Sequence, residues 1–234
     1  AMGSGKLAVP DGSGSRVVIY DSIPASGAAV KSVVVGQPDF TSAGPGCGAT
    51  ALALPHAAAV TPDGKLLVAD SFNHRVLIWN SLPTTNGQPP DVVVGQAGPD
   101  DCAPLATSDR SLRFPSGLWS DGSRLVVIDT GNSRVLVWNQ VPTSSFQPAD
   151  LVLGQADFTG QDPNDDDGDG TADDKPSART LADPVQGIAS NGVQLAIADS
   201  GNNRVLIWNT FPTTSFQPAD AVLGQSTFTR YLAN

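Results

Sequence analysis

Four strings of nine residues, RVVIYDSIP, RVLIWNSLP, RVLVWNQVP and RVLIWNTFP, begin at Arg16, Arg75, Arg134 and Arg204, at spacings of 59, 59 and 70 residues. An apolar triplet followed by Gly-Gln recurs at Gly36, Gly95, Gly154 and Gly224 with the same spacings. Two landmarks moving in step mean a duplicated structural unit, which constrains the fold more than any local propensity. Pro55, Pro115 and Pro184 lie 19, 20 and 30 residues after the preceding Gly and 40, 39 and 40 residues before the next. Each unit is therefore a constant core of about 40 residues plus a connector that holds all the length variation. The units run over 5–40, 41–99, 100–158 and 159–228, with a tail at 229–234. Residues 1–4, AMGS, read as the remnant of an expression tag, and 5–234 as one domain.

Turn chemistry divides each core into four short strands, a to d. In the third unit these are Gly117 to Ser120, Arg124 to Ile128, Arg134 to Trp138 and Leu151 to Leu153, separated by an Asp-Gly turn, the turn DTGNS and a Pro-containing loop. The runs are apolar throughout and do not alternate, so both faces of each sheet are expected to be covered. All 23 acidic residues are Asp, with 24 Gly and 19 Pro, a composition that favours turns over helices. Four antiparallel strands repeated around an axis is an all-β solution, the β-propeller of four blades. A net charge of −10 argues against nucleic acid and anionic membrane partners, and no apolar run reaches the roughly 18 residues of a membrane span.

The stretch from Asp199 to Trp208, DSGNNRVLIW, resembles the b–c hairpin of NHL-repeat propellers, as do Asp70 to Trp79 and Asp129 to Trp138. Asp11 to Tyr20 matches more weakly, with Gly14 where the others have Asn. The resemblance, to bacterial-type long repeats of about 59 residues, covers nearly the whole chain and implies a propeller. It implies little about activity, since NHL blades serve many functions. The connector is the departure from the family, whose units are close to the 40-residue core alone.

The b–c and d–a connections of a four-stranded blade emerge on one face, so the long connectors and the b–c tips share a surface. Loops on a rigid scaffold are where binding sits. This surface is the expected recognition face for a protein, peptide or carbohydrate. In the motif Asp-Ser/Thr-x-Asn-x-Arg, the residues Asp70, Asn73 and Arg75, then Asp129, Asn132 and Arg134, then Asp199, Asn202 and Arg204 are read as turn chemistry. Asp and Asn are expected to bond backbone NH groups of the turn and Arg to pair with an acidic neighbour. Trp79, Trp138, Trp208 and Tyr20 read as packing between blades.

The third connector reads DPNDDDGDGTADDK from Asp162, seven Asp in 14 residues. Asp165, Asp167 and Asp169 alternate, Gly170 follows, Thr171 stands where a carbonyl ligand is needed and Asp173 takes the ninth place, the spacing of a Ca²⁺ loop. It resembles thrombospondin type-3 and dockerin-like calcium loops. Pro176 at the twelfth place excludes an EF-hand, leaving Asp174 or Asp162 to complete the shell. A solvated acidic loop is the plain alternative. Cys47 and Cys102 lie in the connectors of consecutive units, where a disulfide and two free thiols are both open readings; an even count fits an extracellular or periplasmic protein.

Catalysis has little material. His56 and His74 are the only histidines, and His74 takes a variable turn position where exposure is expected. The functional expectation is a non-catalytic binding scaffold with a structural Ca²⁺. The rival is a metal-dependent propeller hydrolase or lyase using carboxylates at the central channel. The first blade should lack its innermost strand unless the tail from Thr227 folds back to supply it. A four-bladed monomer is set above two copies joined as an eight-bladed ring, or a longer array.

Overall fold

The computed structural model of the chain describes residues 2–3, 5–23 and 31–233. They form four antiparallel sheets of four strands each, in the order in which the strands occur. The first is β1 (Met2–Gly3), β2 (Lys6–Asp11), β3 (Arg16–Tyr20) and β4 (Lys31–Val35). The second is β5 (Pro55–Val60), β6 (Leu66–Asp70), β7 (Arg75–Trp79) and β8 (Val92–Val94). The third is β9 (Pro115–Ser120), β10 (Leu125–Asp129), β11 (Arg134–Trp138) and β12 (Leu151–Leu153). The fourth is β13 (Ile188–Ser190), β14 (Leu195–Asp199), β15 (Arg204–Trp208) and β16 (Ala221–Leu223). These are the expected blades, and no described helix is long and apolar enough to cross a membrane.

Each strand sends alternate side chains to opposite sides, and in the second and third blades both sides are apolar because each of them is packed between two neighbours. On β6, Leu66 and Val68 join a core shared with the first blade, while Leu67 and Ala69 join one shared with the third. A third core joins the third and fourth blades through Val126, Ile128, Val135 and Val137 on one side and Leu195, Ile197 and Leu206 on the other. Trp79, Trp138 and Trp208 each sit in the core shared with the preceding blade. Each indole NH donates to the carbonyl of Gln88, Gln147 or Gln217 in the following loop, so the buried ring keeps a polar partner.

The blades form an unclosed row: among the described residues, no apolar core joins the fourth blade to the first. Where the sequence predicts a missing innermost strand, the first blade has the two-residue β1, paired with β2 at Met2–Leu7 and Gly3–Lys6. It comes from residues set aside as a tag remnant. The tail stays on its own blade instead, where Asn203 Nδ2 donates to the Tyr231 carbonyl and Gln225 Nε2 to the Leu232 carbonyl.

Candidate functional site

The b–c corner is built the same way in blades two to four. A one-turn 3-10 segment (Ser71–Asn73, Thr130–Asn132, Ser200–Asn202) ends on a residue in the left-handed region, His74, Ser133 or Asn203, with φ of 55°, 47° and 52°. Asn and His are among the residues enriched in that conformation, and two of the three corners carry one of them. The preceding Asp does something other than the expected capping. Its Oδ1 accepts the backbone NH of a residue on the far side of strand a: Ala53 for Asp70 (2.7 Å), Arg113 for Asp129 (2.5 Å) and Ala182 for Asp199 (2.8 Å). Its Oδ2 accepts Asn73, Asn132 or Asn202 Nδ2 and Arg75, Arg134 or Arg204 Nε. The motif therefore fastens the end of the connector to the corner and leaves the turn's own NH groups to the backbone.

The arginines carry this further. Nη2 of Arg75 donates to the Gly48 and Ala51 carbonyls of the connector before its blade, both at 3.0 Å, and Nη1 to the Pro99 carbonyl of the connector after it. Arg134 reaches Ser108 and Ser111 before and Phe158 after. Arg204 reaches Ser177 and Thr180 before and Phe228, just past β16, after. Arg75 and Arg134 each brace one connector to the next, and Arg204 braces the third connector to the segment after β16, each using its planar fork of donors. The Asp–Arg pairs of the last three blades are wholly buried, whereas Asp11–Arg16 in the first is partly exposed. Burial pushes the carboxyls of Asp70, Asp129 and Asp199 upward, and the guanidinium and NH donors pull against it.

The Gly-Gln landmark is part of the same construction. Gly95 and Gly154 have φ of +95° and +92°, and a Cβ at Gly95 would stand 2.8 Å from the His74 carbonyl, so only glycine fits. The following Gln folds back: Gln37, Gln96 and Gln155 Nε2 donate to the carbonyls of Gly44, Ala103 and Asp162, seven residues on in each case. Sequence reasoning used this dipeptide only as a ruler, although its recurrence in every unit was the signal for a structural task.

The acidic loop sits on this platform. Asp165 is 2% exposed, and its oxygens accept the NH groups of Gly168 (2.8 Å), Asp169 (3.2 Å) and Gly170 (3.0 Å), folding the chain around it. One oxygen each of Asp165, Asp167 and Asp173 lies within 4.8 Å of the others. Asp169 turns instead to Thr171, accepting its NH at 2.9 Å and its hydroxyl at 2.6 Å. Three of the five expected ligand residues are thus brought together by side chain, and Asp169 stands apart. Cys47 and Cys102 are disulfide-bonded with Cα atoms 6.1 Å apart, tying the first two connectors.

His74 corrects the expectation of exposure: it is 5% exposed. Its left-handed corner turns the ring under Phe114, whose NH donates to Nδ1 at 3.2 Å and whose ring meets it edge-on, centroids 4.5 Å apart. Burial, then the charge of Arg113, holds its pKa below 6.5. His56 is exposed on β5. Phe72 and Phe114 stack edge-to-face with centroids 5.4 Å apart and remain 50% and 37% exposed, an exposed aromatic pair that the sequence reading missed.

Sheets, corners and braces together define a β-propeller whose blades are joined through their connectors. Residues 52–79, from the end of the first connector to the end of β7, match the NHL repeat. None of the curated protein sequences compared matches the chain significantly. Among solved structures, a putative 6-phosphogluconolactonase from Bacteroides fragilis is similar over 87% of this chain at 17% identity, with a TM-score of 0.43. The chain spans 63% of the length of that structure.

Proposed function

We propose that this propeller is a binding module: the b–c corners and d–a connectors form a fixed platform, Ca²⁺ orders the third connector, and a protein, peptide or carbohydrate docks across the exposed Phe72–Phe114 pair. The observation that carries this reading is the set of buried braces at Arg75, Arg134 and Arg204, which tie the first connector to the second, the second to the third and the third to the segment after β16. A surface already ordered in the free protein loses little entropy when a ligand docks, so affinity is not spent on arranging loops. Exposed aromatics offer large contact area at small entropic cost.

The ion reading rests on the loop's donors. Two oxygens each about 2.4 Å from a Ca²⁺ stand at most about 4.8 Å apart, which the oxygens of Asp165, Asp167 and Asp173 satisfy. Three carboxylates at that spacing repel one another, and a divalent cation relieves the repulsion. The disulfide favours an oxidising compartment, extracellular or periplasmic. The hydrolase or lyase alternative needs free carboxylates, and Asp70, Asp129 and Asp199 are each committed to an Arg, an Asn and a backbone NH.

Calorimetric titration of chelator-treated protein with Ca²⁺ should give one binding event per chain, lost in Asp167→Asn; no heat at millimolar Ca²⁺ refutes the ion. Glycan and peptide arrays probed with the Ca²⁺-loaded protein and with Phe72→Ala should give a ligand that the variant no longer holds. Equal binding by both proteins removes the platform reading.

A further inference from the structure

The net charge of −10 is unevenly placed. The connectors at 37–54, 96–114 and 155–183 hold 13 of the 23 Asp but only 4 of the 13 basic residues, so they carry −9 and the blades almost nothing. The third connector alone holds nine of those Asp against Lys175 and Arg179. Within it lies a cavity of about 200 Å³, walled by 155–157 and 159–162 on one side and by Asp165 and 168–170 on the other. Asp157, Asp162, Asp165 and Asp169 line it, and no basic residue is among its walls.

One wall offers an acceptor that nothing uses. Gln155 is 1% exposed, and its Nε2 donates to the carbonyls of Ser133 (3.2 Å) and Asp162 (2.8 Å), which fixes the orientation of the amide. Among the described residues no donor reaches its Oε1. Gly160 lines the cavity too, and a Cβ there would stand 2.7 Å from Oε1, so only a bare glycine lies beside the oxygen. A buried acceptor without a donor is costly, and the four carboxylates around it select a donor that carries positive charge. Gln96, one unit earlier, has the same unpartnered oxygen, but its cavity carries only Asp100 and Asp101 beside the disulfide. In the third connector the acceptor and the concentrated charge coincide.

We infer that this cavity takes the ammonium group of a lysine side chain from a docked peptide or protein segment. Its volume is that of several waters at about 30 Å³ each, more than a bare metal ion fills. Asp167 and Asp173, which converge with Asp165 on the proposed Ca²⁺, are not among its walls, so that ion leaves Asp157, Asp162 and Asp169 to the lysine. The three N–H donors of Nζ diverge, which suits acceptors on two facing walls, whereas a guanidinium holds its donors in one plane. The methylene stem lies along Ala156 and the glycines 160, 168 and 170, keeping the charged end inside. This deepens the platform reading and rests on it for the segment that brings the lysine.

Nα-acetyl-lysine methylamide titrated into the Ca²⁺-loaded protein should give saturable NMR shifts centred on the backbone NH groups of Gly160, Gly168 and Gly170, with a millimolar Kd. The Nε-acetylated derivative, which is uncharged, and the arginine analogue should each bind about tenfold more weakly or less. Gly160→Val, which puts a side chain beside Oε1, should abolish the shifts, and Asp162→Asn should weaken binding several-fold with unchanged far-UV circular dichroism. Asp220→Asn removes the same charge from the fourth blade and should leave the affinity as it was. Shifts that do not saturate, equal binding of the arginine analogue, or an affinity as strong in Asp162→Asn as in the unaltered protein overturns the inference. The arrays separate it from the platform: a captured ligand that lacks lysine overturns the cavity and leaves the platform standing. Saturable lysine shifts with no array ligand remove the platform and uphold the cavity.

Discussion

Arg134→Ala tests whether the guanidinium braces hold the platform. Arg134 and Asp129 are both 0% exposed, with Nε to Oδ2 at 2.7 Å, and the same guanidinium donates to the carbonyls of Ser108 at 2.9 Å, Ser111 at 3.0 Å and Phe158. Truncation leaves a buried carboxylate without its counter-charge, which costs about 3–5 kcal/mol. The three carbonyls lose their donor as well, each worth on the order of 1 kcal/mol before water reaches those near the surface. The expected loss is about 4–6 kcal/mol, a large part of the roughly 5–15 kcal/mol that holds a domain together. At about 2–4 °C per kcal/mol for a chain of this size, Tm should fall by about 10–20 °C. Arg16→Ala is the internal control. Its pair with Asp11 is 17% and 34% exposed, so screening by water reduces it to about 1–2 kcal/mol with its carbonyl contacts included. Urea unfolding followed by tryptophan fluorescence reads both, and Asp129→Asn in combination with Arg134→Ala should cost much less than the sum of the single changes. An Arg134→Ala loss below about 2 kcal/mol, or equal to that of Arg16→Ala, would refute the brace argument.

Three further outcomes are expected. Thr41 and Ser42 donate to Asp39 and hold its pKa at about 2, so any stability it adds is present above the unfolded value near 3.8 and is lost as pH falls from there through about 2. Carboxyl NMR should place its titration near the lower value in the native protein and move it up in Thr41→Val. Burial and then Arg113 lower the pKa of His74 in the fold, so the unfolded chain takes up its proton first and stability declines as pH drops below about 6.5. His74→Asn, the residue standing at the same corner in the fourth blade, should flatten Tm between pH 7 and 5; an unchanged slope counts against this account. The Cys47–Cys102 bridge closes a separation of 55 residues, worth about 4 kcal/mol by loop entropy, so reduction should raise the intact mass by two hydrogen atoms and lower Tm by about 8–16 °C.

The repeat arithmetic located every blade. The bounds of β11 and β12 agree with the runs read from Arg134 to Trp138 and Leu151 to Leu153, because a continuous apolar run between turn residues has few other uses. The Asp-to-Arg pairing was also legible from its recurrence. The connectors' fastening was not: the NH of Ala53 lies 17 residues before Asp70, and the Arg75 carbonyl contacts lie 24–27 residues away on either side. No local pattern encodes such partners. His74 misled for the same reason, since its burial depends on Phe114, 40 residues on and in another blade.

Periodicity and composition by themselves determined an all-β chain of four like blades, the connectors' shared face and the spacing of the acidic loop, because these depend on which residue types recur at which intervals. The tertiary structure alone decided which acidic side chains converge, that the two cysteines meet, that β1 takes the inner place of the first blade, and that the row stays open. The convergence comes from the backbone NH groups folded around Asp165 and the place of β1 from its pairing with β2, whereas the cysteine contact and the open row depend on how blades rotate against one another. That rotation is set by packing across three cores and by buried guanidiniums, and neither can be read from one unit at a time.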